Sequence, residues 1–556
     1  MNSRILIIGG YGVFGSRLSE ALLQRGEYDV VVVGRSIQKA EEFCERHGGI
    51  PHAIDINAID LTEQVCRLAP AIIVDAAGPW QDYGEDPYRV ARAGLACGAH
   101  YLDLSDDAAF SEGIAGLDAG ARAKGVALIS GVSSVPALSS AAADALSKGM
   151  TNIELVESAI TPGNRAPRGQ SVIRSILSQT GQPLKVWKSG AWRHVTGWGA
   201  IHSITLTVPG IPPLKNRWLS PIGAPDLTLL PSRYDAASVR FFAGLELKFM
   251  HGGLFLLGKL VTGGFVESLA SWTSVLQPLA NLLRPFGSDR GGMRVNVVGK
   301  TAQGTHQSRI WTLIAEAGDG PDIPTVPARI MIPKLLAGQI DPGARPCLGE
   351  FTLEEAEDAL SSLNVSTGRT DTEITPVFRQ VLGNRFGELP PSLQRLHSVT
   401  GSHVWAGEAD IERGKGLLSW LAGRVASFPP AGKGVPVRVT MVQKGKSETW
   451  TRQFGRNRFS SHLRQHPEDQ PGIIRERFGA LDFSISLTAR DDELAFPVLK
   501  GRFLGIPIPR FLLPLSETRE SVLPDGSCQF DVAISLPIAG PVVHYRGWLR
   551  PSPSHP

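Results

Sequence analysis

A chain of 556 residues is too long for one ordinary core, and a prior of roughly 100–200 residues per domain predicts about three packed units. With 42% apolar and 20% charged residues the composition is that of a folded globular protein, not of a disordered or fibrous one. Basic and acidic residues nearly cancel at a formal charge of +3, and no Lys/Arg run is long enough to track a phosphate backbone, so the charge gives no support to nucleic-acid binding.

The first four residues run straight into the apolar Ile5-Leu6-Ile7-Ile8, leaving no room for a secretory n-region and h-region, so secretion is not expected. That run reads as a buried strand. Gly9-Gly10-Tyr11-Gly12-Val13-Phe14-Gly15 and a helical pattern through Leu18, Ala21, Leu22 and Leu23 follow. Gly10, Gly12 and Gly15 stand at GxGxxG spacing, which supplies a tight turn, a close backbone approach to a pyrophosphate, and close packing of helix on strand. The next strand, 30–33, ends at Gly34-Arg35-Ser36, where an NAD-binding domain usually carries an acidic residue for the ribose 2′-OH. An arginine beside a hydroxyl suits a 2′-phosphate instead, which predicts NADP(H). Further strands at 50–56 and 71–74 alternate with helices at 61–68 and 87–97, and 71–74 leads into Asp75-Ala76-Ala77-Gly78-Pro79-Trp80. Tyr101-Leu102-Asp103 and a strand at 126–130 complete a doubly wound parallel sheet with its ligand at the carboxyl ends of the strands.

GGYGVFG, VVVGRSIQKA, Asp55, the AAGPW turn and GLACGAHYLDLS together resemble the NADP-binding domain of the saccharopine dehydrogenase family, densely over residues 1–140 and more thinly to about 370. The resemblance implies that Gly9, Gly10, Tyr11, Gly12, Phe14 and Gly15 lie along the pyrophosphate. It places Arg35 and Ser36 at the 2′-phosphate, Asp55 on the adenine side, and Ala77, Gly78 and Pro79 on the nicotinamide side. Tyr101 and Asp103, at a strand end near the expected nicotinamide, are weak catalytic candidates. Short-chain dehydrogenases are disfavoured, because none of the seven tyrosines has a lysine four residues later.

The five cysteines, Cys44, Cys66, Cys97, Cys347 and Cys528, lack CxxC or CxH spacing. They are expected to be separate buried hydrophobes in a reducing cytoplasmic compartment, with no disulfide framework and no metal site.

Residues 141–370 read as an α+β domain of substrate or dimerisation type, compatible with a homodimer. A strand at 153–160 enters Pro162-Gly163-Asn164-Arg165-Ala166-Pro167-Arg168-Gly169, which opens a helix at 171–179. Asn164, Arg165 and Arg168 there are candidate substrate contacts, with a rigid connector as the equal alternative. A hairpin at 186–192 turns at Ser189-Gly190, and strands at 293–299 and 308–315 precede a helix at 324–336. Between them, 241–286 is rich in Leu, Phe and Gly. Glu246, Lys248, His251 and Lys259 interrupt its most apolar stretch, 241–261, so no transmembrane helix is predicted. Burial is the first expectation for this segment, and a greasy substrate channel or peripheral membrane contact the second.

Residues 371–390 read as a polar linker. In 391–550, after helices around 391–396 and 417–425, the period changes to two: Val435, Val437, Val439 and Met441; Leu481, Phe483, Ile485 and Leu487; Phe530, Val532, Ile534 and Leu536. Turns at Lys444-Gly445, Asp491-Asp492 and Asp525-Gly526 predict an antiparallel meander curling into a barrel or half-barrel. Trp450 to Phe459, Glu476-Arg477-Phe478-Gly479 and His544-Tyr545-Arg546-Gly547-Trp548 resemble a bacterial domain of unknown function that often follows such dehydrogenase-like modules.

No GxSxG, HExxH or P-loop is present, so hydrolase and kinase chemistry have no motif to rest on. The expected fold is a Rossmann domain, an α+β domain and a carboxyl-terminal, mainly antiparallel β domain. The expected function is NADP(H)-dependent hydride transfer to a small or lipid-like, apolar substrate. A non-catalytic dinucleotide sensor or lipid-binding scaffold fits the same residues.

Overall fold

The computed structural model describes residues 2–80, 83–167, 169–425, 428–466, 468–490 and 492–552. The chain divides into two compact units. One comprises Met1–Lys188, Trp192–Val297 and Arg309–Asp371; the other comprises Ser189–Ala191, Val298–Ser308 and Thr372–Pro556.

The first unit holds two sheets. Strands β1 (Ser3–Ile8), β2 (Tyr28–Gly34), β3 (Ile50–Ala53), β4 (Ile72–Asp75), β5 (His100–Asp103) and β6 (Ala127–Ser130) alternate with α1 (Gly15–Arg25), α2 (Ile37–His47), α3 (Leu61–Leu68) and α4 (Arg89–Cys97). The β1, β2 and β4 runs are continuous aliphatics with no wet face, and their central residues are at most 2% exposed, as expected of a sheet covered by helices on both sides. All pairings are parallel, in the order (Gly343–Pro346)-β6-β5-β4-β1-β2-β3. Strand order reverses at β1, which lies between β4 and β2, so a ligand crevice opens at their carboxyl ends. The seventh strand, Gly343–Pro346, comes from well beyond residue 140; four residues are too few to announce themselves by periodicity.

Cys66 and Cys97 form a disulfide between α3 and α4, 31 residues apart in sequence. This corrects the expectation of five separate cysteines and removes their support for a reducing compartment. The pair is brought together by helix packing, which sequence spacing does not reveal.

The second sheet of this unit is mixed. Met150–Thr161 runs parallel to Ser238–Ala243, which pairs antiparallel with Ile211–Pro221. The predicted hairpin is present as Pro183–Lys188 and Ala191–Thr196, with Ser189 and Gly190 both in the left-handed region. Against the first expectation, the apolar segment is not buried. In the helices Lys248–Thr262 and Thr273–Leu282 and their flanks, Phe249, Leu256, Phe265, Val275, Leu282 and Phe286 are all more than 60% exposed. No helix of the described residues is long and apolar enough to cross a membrane.

On the first of these helices Val261 is buried, and so is His251. It is fully buried, its Nε2 lies 2.8 Å from Ser220 Oγ, and its Nδ1 accepts from Leu245 N at 3.4 Å. Since Ser220 Oγ donates to the Ala200 carbonyl at 2.7 Å, Nε2 carries the proton and the ring is neutral.

In the second unit the expected linker is instead structured. The helices Val377–Leu382 and Pro391–His397 bury Val377, Phe378, Leu393 and Leu396 at 0–1% exposure, so 371–390 is corrected from linker to part of this core. Each helix has under two turns, and its few apolar residues are masked by polar neighbours in the sequence.

The paired strands are all antiparallel, as their short hairpin connections require. From Leu515–Val522 the order runs through Cys528–Leu536, Gly540–Pro551, Ser402–Arg413, Gly432–Lys444, Ser447–Phe454, Asn457–Arg464 and Ile473–Phe478 to Leu481–Ser486. Leu481–Ser486 continues as Thr488–Arg490, and Glu493–Ala495 continues as Val498–Phe503. These two bent strands pair with each other, and Glu493–Ala495 pairs back onto Leu515–Val522. The described strands thus close into a ten-stranded barrel. Gly445 and Gly526 turn two of its predicted hairpins in left-handed conformations, whereas Asp491 of the third lies outside the described residues.

Burial lowers the His251 pKa to about 4. A group whose folded pKa is depressed contributes stability above its unfolded value, near 6.5, that is lost as pH falls through the folded value. The first unit should therefore lose on the order of 3 kcal/mol between about pH 6.5 and 4 from this residue. Urea unfolding across that window should show a smaller loss for His251→Leu than for the native chain; equal slopes would remove the assignment.

Candidate functional site

The site is built at the ends of β1, β2 and β4. A Cβ on Gly15 would stand 2.1 Å from the Gly9 carbonyl oxygen, and one on Gly9 would stand 2.8 Å from Ala77 Cα. Only residues without side chains let the start of α1 sit on the end of β1 and let both meet the turn after β4. Gly12 N donates to the Gly9 carbonyl at 2.8 Å and Gly10 N to the Val33 carbonyl at 3.0 Å, which fixes the turn against β2. Ser19 Oγ locks the Gly10 carbonyl at 3.0 Å.

Tyr11 reaches across from this turn to β2. Its hydroxyl accepts from Ser36 N at 3.0 Å, and its ring fills the space where a Gly34 side chain would be. Ser36 caps α2 by accepting from Lys39 N, so its hydroxyl already has a structural duty. Arg35 is exposed and makes no hydrogen bond or ion pair with another described residue. Asp55, exposed beyond β3, accepts from Asn57 N at 2.9 Å. Phe14, half-buried, precedes the first residue of α1. Ala77 N is held by Asp75 Oδ1 at 3.0 Å, and Gly78-Pro79, a cis peptide, follows with the Trp80 ring against Gly78.

Behind this turn lies a feature that sequence inspection missed. Asp75 and Asp103 are register neighbours on β4 and β5 and both are fully buried. The Tyr83 hydroxyl donates to Asp75 at 3.0 Å. Asp103 Oδ1 accepts from Ser105 N (3.0 Å), Ser130 Oγ (3.0 Å) and Gly131 N (2.8 Å), while Oδ2 lacks a hydrogen-bond partner of normal geometry among the described residues. Burial pushes Asp75 up to about 6 and Asp103 up to about 7, with the hydrogen bonds pulling the other way. The buried Tyr101 phenol is pushed well above its ordinary value by burial and by both carboxylates. The pair can hold a proton at neutral pH. Tyr101 and Asp103, at 1% and 0% exposure, face this interior cluster rather than an open surface. The available signal for Asp75 was an acidic residue ending an otherwise aliphatic strand.

The predicted substrate loop is a clasp. Asn164 is 1% exposed; its Nδ2 donates to the Leu283 carbonyl at 2.7 Å and its N to Glu246 Oε2 at 2.6 Å. Glu246 also takes Ser288 N (2.9 Å), Ser288 Oγ (2.6 Å) and Arg217 Nη2 (3.2 Å). Burial raises its pKa, but these donors and the guanidinium hold it below the usual range. Arg165 is exposed, and its carbonyl accepts from Arg284 Nε at 2.8 Å. Asn164 is thus spent on structure, which corrects its assignment to substrate. Arg168 lies outside the described residues.

The glycine turn at the strand-order reversal defines a Rossmann-type dinucleotide site. Residues 5–129 match the family profile of the saccharopine dehydrogenase NADP binding domain, and residues 389–549 match a domain of unknown function, DUF4166. The chain therefore carries a saccharopine dehydrogenase NADP-binding domain, whose cofactor is NADP(H), and a DUF4166 domain. Among solved structures it is similar to apo saccharopine dehydrogenase (L-Glu forming) from Saccharomyces cerevisiae, with 14% identity, 66% of this chain and 100% of that chain covered, and a TM-score of 0.49. It is also similar to yeast methylglyoxal/isovaleraldehyde reductase complexed with NADPH (17% identity, 18% and 37% covered, TM-score 0.17). Ribose-5-phosphate isomerase from Brucella melitensis is a further similar structure (17% identity, 23% and 68% covered, TM-score 0.20). No curated protein sequence matches.

The Asp75 and Asp103 shifts have the sign opposite to that of a salt-bridged carboxylate. A raised folded pKa gives a contribution complete below about pH 4 and lost as pH rises through about 6 to 7. Asp103→Asn keeps the acceptor for three donors and removes the charge. It should be more stable than the native chain at pH 8, by on the order of 3 kcal/mol, and indistinguishable at pH 4. Thermal unfolding at both pH values checks this; a variant less stable at pH 8 would contradict it.

Proposed function

We propose that the first unit is an NADP(H)-dependent oxidoreductase acting on an apolar, lipid-like substrate. The observation that carries the cofactor end is Arg35, an exposed guanidinium without a partner among the described residues, one residue beyond β2 and beside a turn with no room for side chains. NADP(H), when bound, supplies or accepts a hydride. In this reading the amide groups at the start of α1 receive the pyrophosphate and Arg35 grips the 2′-phosphate through paired charge-assisted hydrogen bonds. Asp55 borders the adenine side, and Ala77, Gly78 and Pro79 wall the nicotinamide side. Asp75 positions that wall through Ala77 N, and the Asp75–Asp103 pair with Tyr101 stores a proton behind it. Tyr101 and Asp103 are then positioning residues rather than groups that touch substrate.

The substrate class rests on the exposed apolar residues of 249–286. Phe249, Leu256, Phe265, Leu282 and Phe286 lie among Lys248, Lys259 and Arg284, a composition suited to the interface of an anionic bilayer. An enzyme that collects an apolar substrate gains from such a contact, since the substrate's concentration in water is low.

Fluorescence titration should show tighter binding of NADPH than of NADH. Arg35→Asp should weaken NADPH by roughly 1–3 kcal/mol and leave NADH unharmed. Similar curves for both nucleotides in the native chain would overturn the 2′-phosphate assignment. Oxidation of NADPH in the presence of a lipid extract separates the enzyme from a non-catalytic sensor, which would bind without turnover. In sedimentation with vesicles, the native chain should follow phosphatidylserine-containing vesicles more than pure phosphatidylcholine. Replacing Leu256 and Phe265 by Glu should abolish this. A native dimer that the same replacements dissociate, with no vesicle binding, would instead assign the patch to a second copy.

A further inference from the structure

The barrel of the second unit is hollow. A cavity of about 1020 Å³ lies inside it, at the upper end of the roughly 300–1,000 Å³ usual for small-molecule sites. Its wall is the apolar face that alternation predicts, including Val437, Val439, Phe483, Phe530, Val532 and Ile534. A space of this size is too large to stay empty in a close-packed protein, and its wall offers water few hydrogen bonds.

Two observations narrow what fills it. The first is the state of its charges. Arg452 lines the cavity, but its Nη2 donates to Glu476 at 3.2 Å and its Nη1 to Ser461 Oγ at 2.7 Å, and the guanidinium lies over the rings of Trp450 and Phe459. The other acid on the wall, Glu520, is held by the buried His397 at 2.6 Å. The other cation on the wall, Arg458, is exposed, so an anionic headgroup inside the barrel would have to break the Arg452–Glu476 pair and leave a carboxylate uncompensated in an apolar interior. Arg502 and Arg546 sit on the outward face and are exposed.

The second is Tyr545. It is 7% exposed, lines the cavity, and its hydroxyl makes no hydrogen bond with another described residue. Burial pushes its pKa up to about 12, so the hydroxyl is protonated at neutral pH and can donate. A phenol in such surroundings usually has a partner.

The rim of the cavity is also apolar. Leu418 on the helix Leu417–Val425, Leu512, and Ile538 in the turn after Leu536 all line the cavity yet are 54%, 37% and 72% exposed. Ser419 Oγ ties the helix to the start of the strand Gly540–Pro551 through the Pro541 carbonyl at 2.7 Å.

We propose that this barrel binds one neutral lipid, an elongated hydrocarbon bearing a carbonyl or ester oxygen, with the chain along the Phe483–Phe530 wall and the oxygen accepting from Tyr545. The site is separate from the nucleotide site and does not depend on the redox assignment.

The test uses the full chain with cis-parinaric acid methyl ester and the free cis-parinaric acid, whose polyene fluoresces in an apolar environment. The ester should bind saturably, one molecule per chain. Phe483→Trp and Val532→Trp, on different strands, should each reduce its binding by at least about tenfold by filling the interior. Tyr545→Phe should weaken the ester about fivefold. NADPH affinity and far-UV circular dichroism establish that each variant is folded, and a Glu517→Gln control, at an exposed position that does not line the cavity, should bind the ester as the native chain does. Tighter binding of the free acid would overturn the neutral headgroup. Non-saturable binding, or binding untouched by both tryptophans in folded chains, would overturn the site itself.

Discussion

The Gly9 carbonyl oxygen stands where a side chain on residue 15 would have to be, and the nucleotide site follows from that approach. With the start of α1 seated on the end of β1, the first-turn amide groups of the helix face the crevice between β1 and β4. The same closeness lets Gly9 meet Ala77, so the glycine turn after β1 and the turn after β4 are one packed object and not two loops. Tyr11 extends it to a third strand end by holding Ser36 N and covering Gly34. In the reading proposed for the site, a dinucleotide lies across these three strand ends, and their mutual fixation is what lets one ligand be read at both extremities.

Holding the Ala77 side of the site has an electrostatic consequence. Asp75 can fix Ala77 N only from a buried position, and its register neighbour is another buried acid, Asp103. Hydroxyl and amide donors supply most of the hydrogen bonds, but no cation faces the pair among the partners that act on it. The charge on Asp75 adds to the burial that raises Asp103. Stability is thereby given up at the floor of the site. Such strain is common where chemistry or ligand positioning sets the requirement.

What the sequence revealed follows the range of the interactions involved. GxGxxG spacing, the arginine after β2 and the period-two strands are local, so the glycine turn, the parallel sheet and the antiparallel barrel strands were legible. The Asp75–Asp103 neighbourhood, the Cys66–Cys97 disulfide and the strand Gly343–Pro346 depend on which segments become adjacent, and no local pattern carries that. The loop at Asn164 shows the converse error. Its polar residues suggested a ligand, but Glu246 and the Leu283 carbonyl, more than 80 residues away, had already taken Asn164. The apolar helices at 248–282 were misjudged because sequence reports hydrophobicity without saying whether anything lies against it.

The two units treat apolar alternation differently, for a geometric reason. In the parallel sheet both faces are covered by helices, and the side chains of β1, β2 and β4 are consumed in packing. In the antiparallel unit one face turns inward on itself. Barrel diameter grows with strand number, and about eight strands give an interior that side chains can just fill. Ten strands exceed that limit, so even with Phe454, Phe459, Phe483, Phe530 and Tyr545 pointing inward the centre stays open. Bends near Leu487 and at Phe496-Pro497 let two strands serve both sides of the closure, which removes the exposed edges a half-barrel would leave. Closure and hollowness are therefore one property: the strand count that completes the hydrogen bonding also leaves room for a ligand.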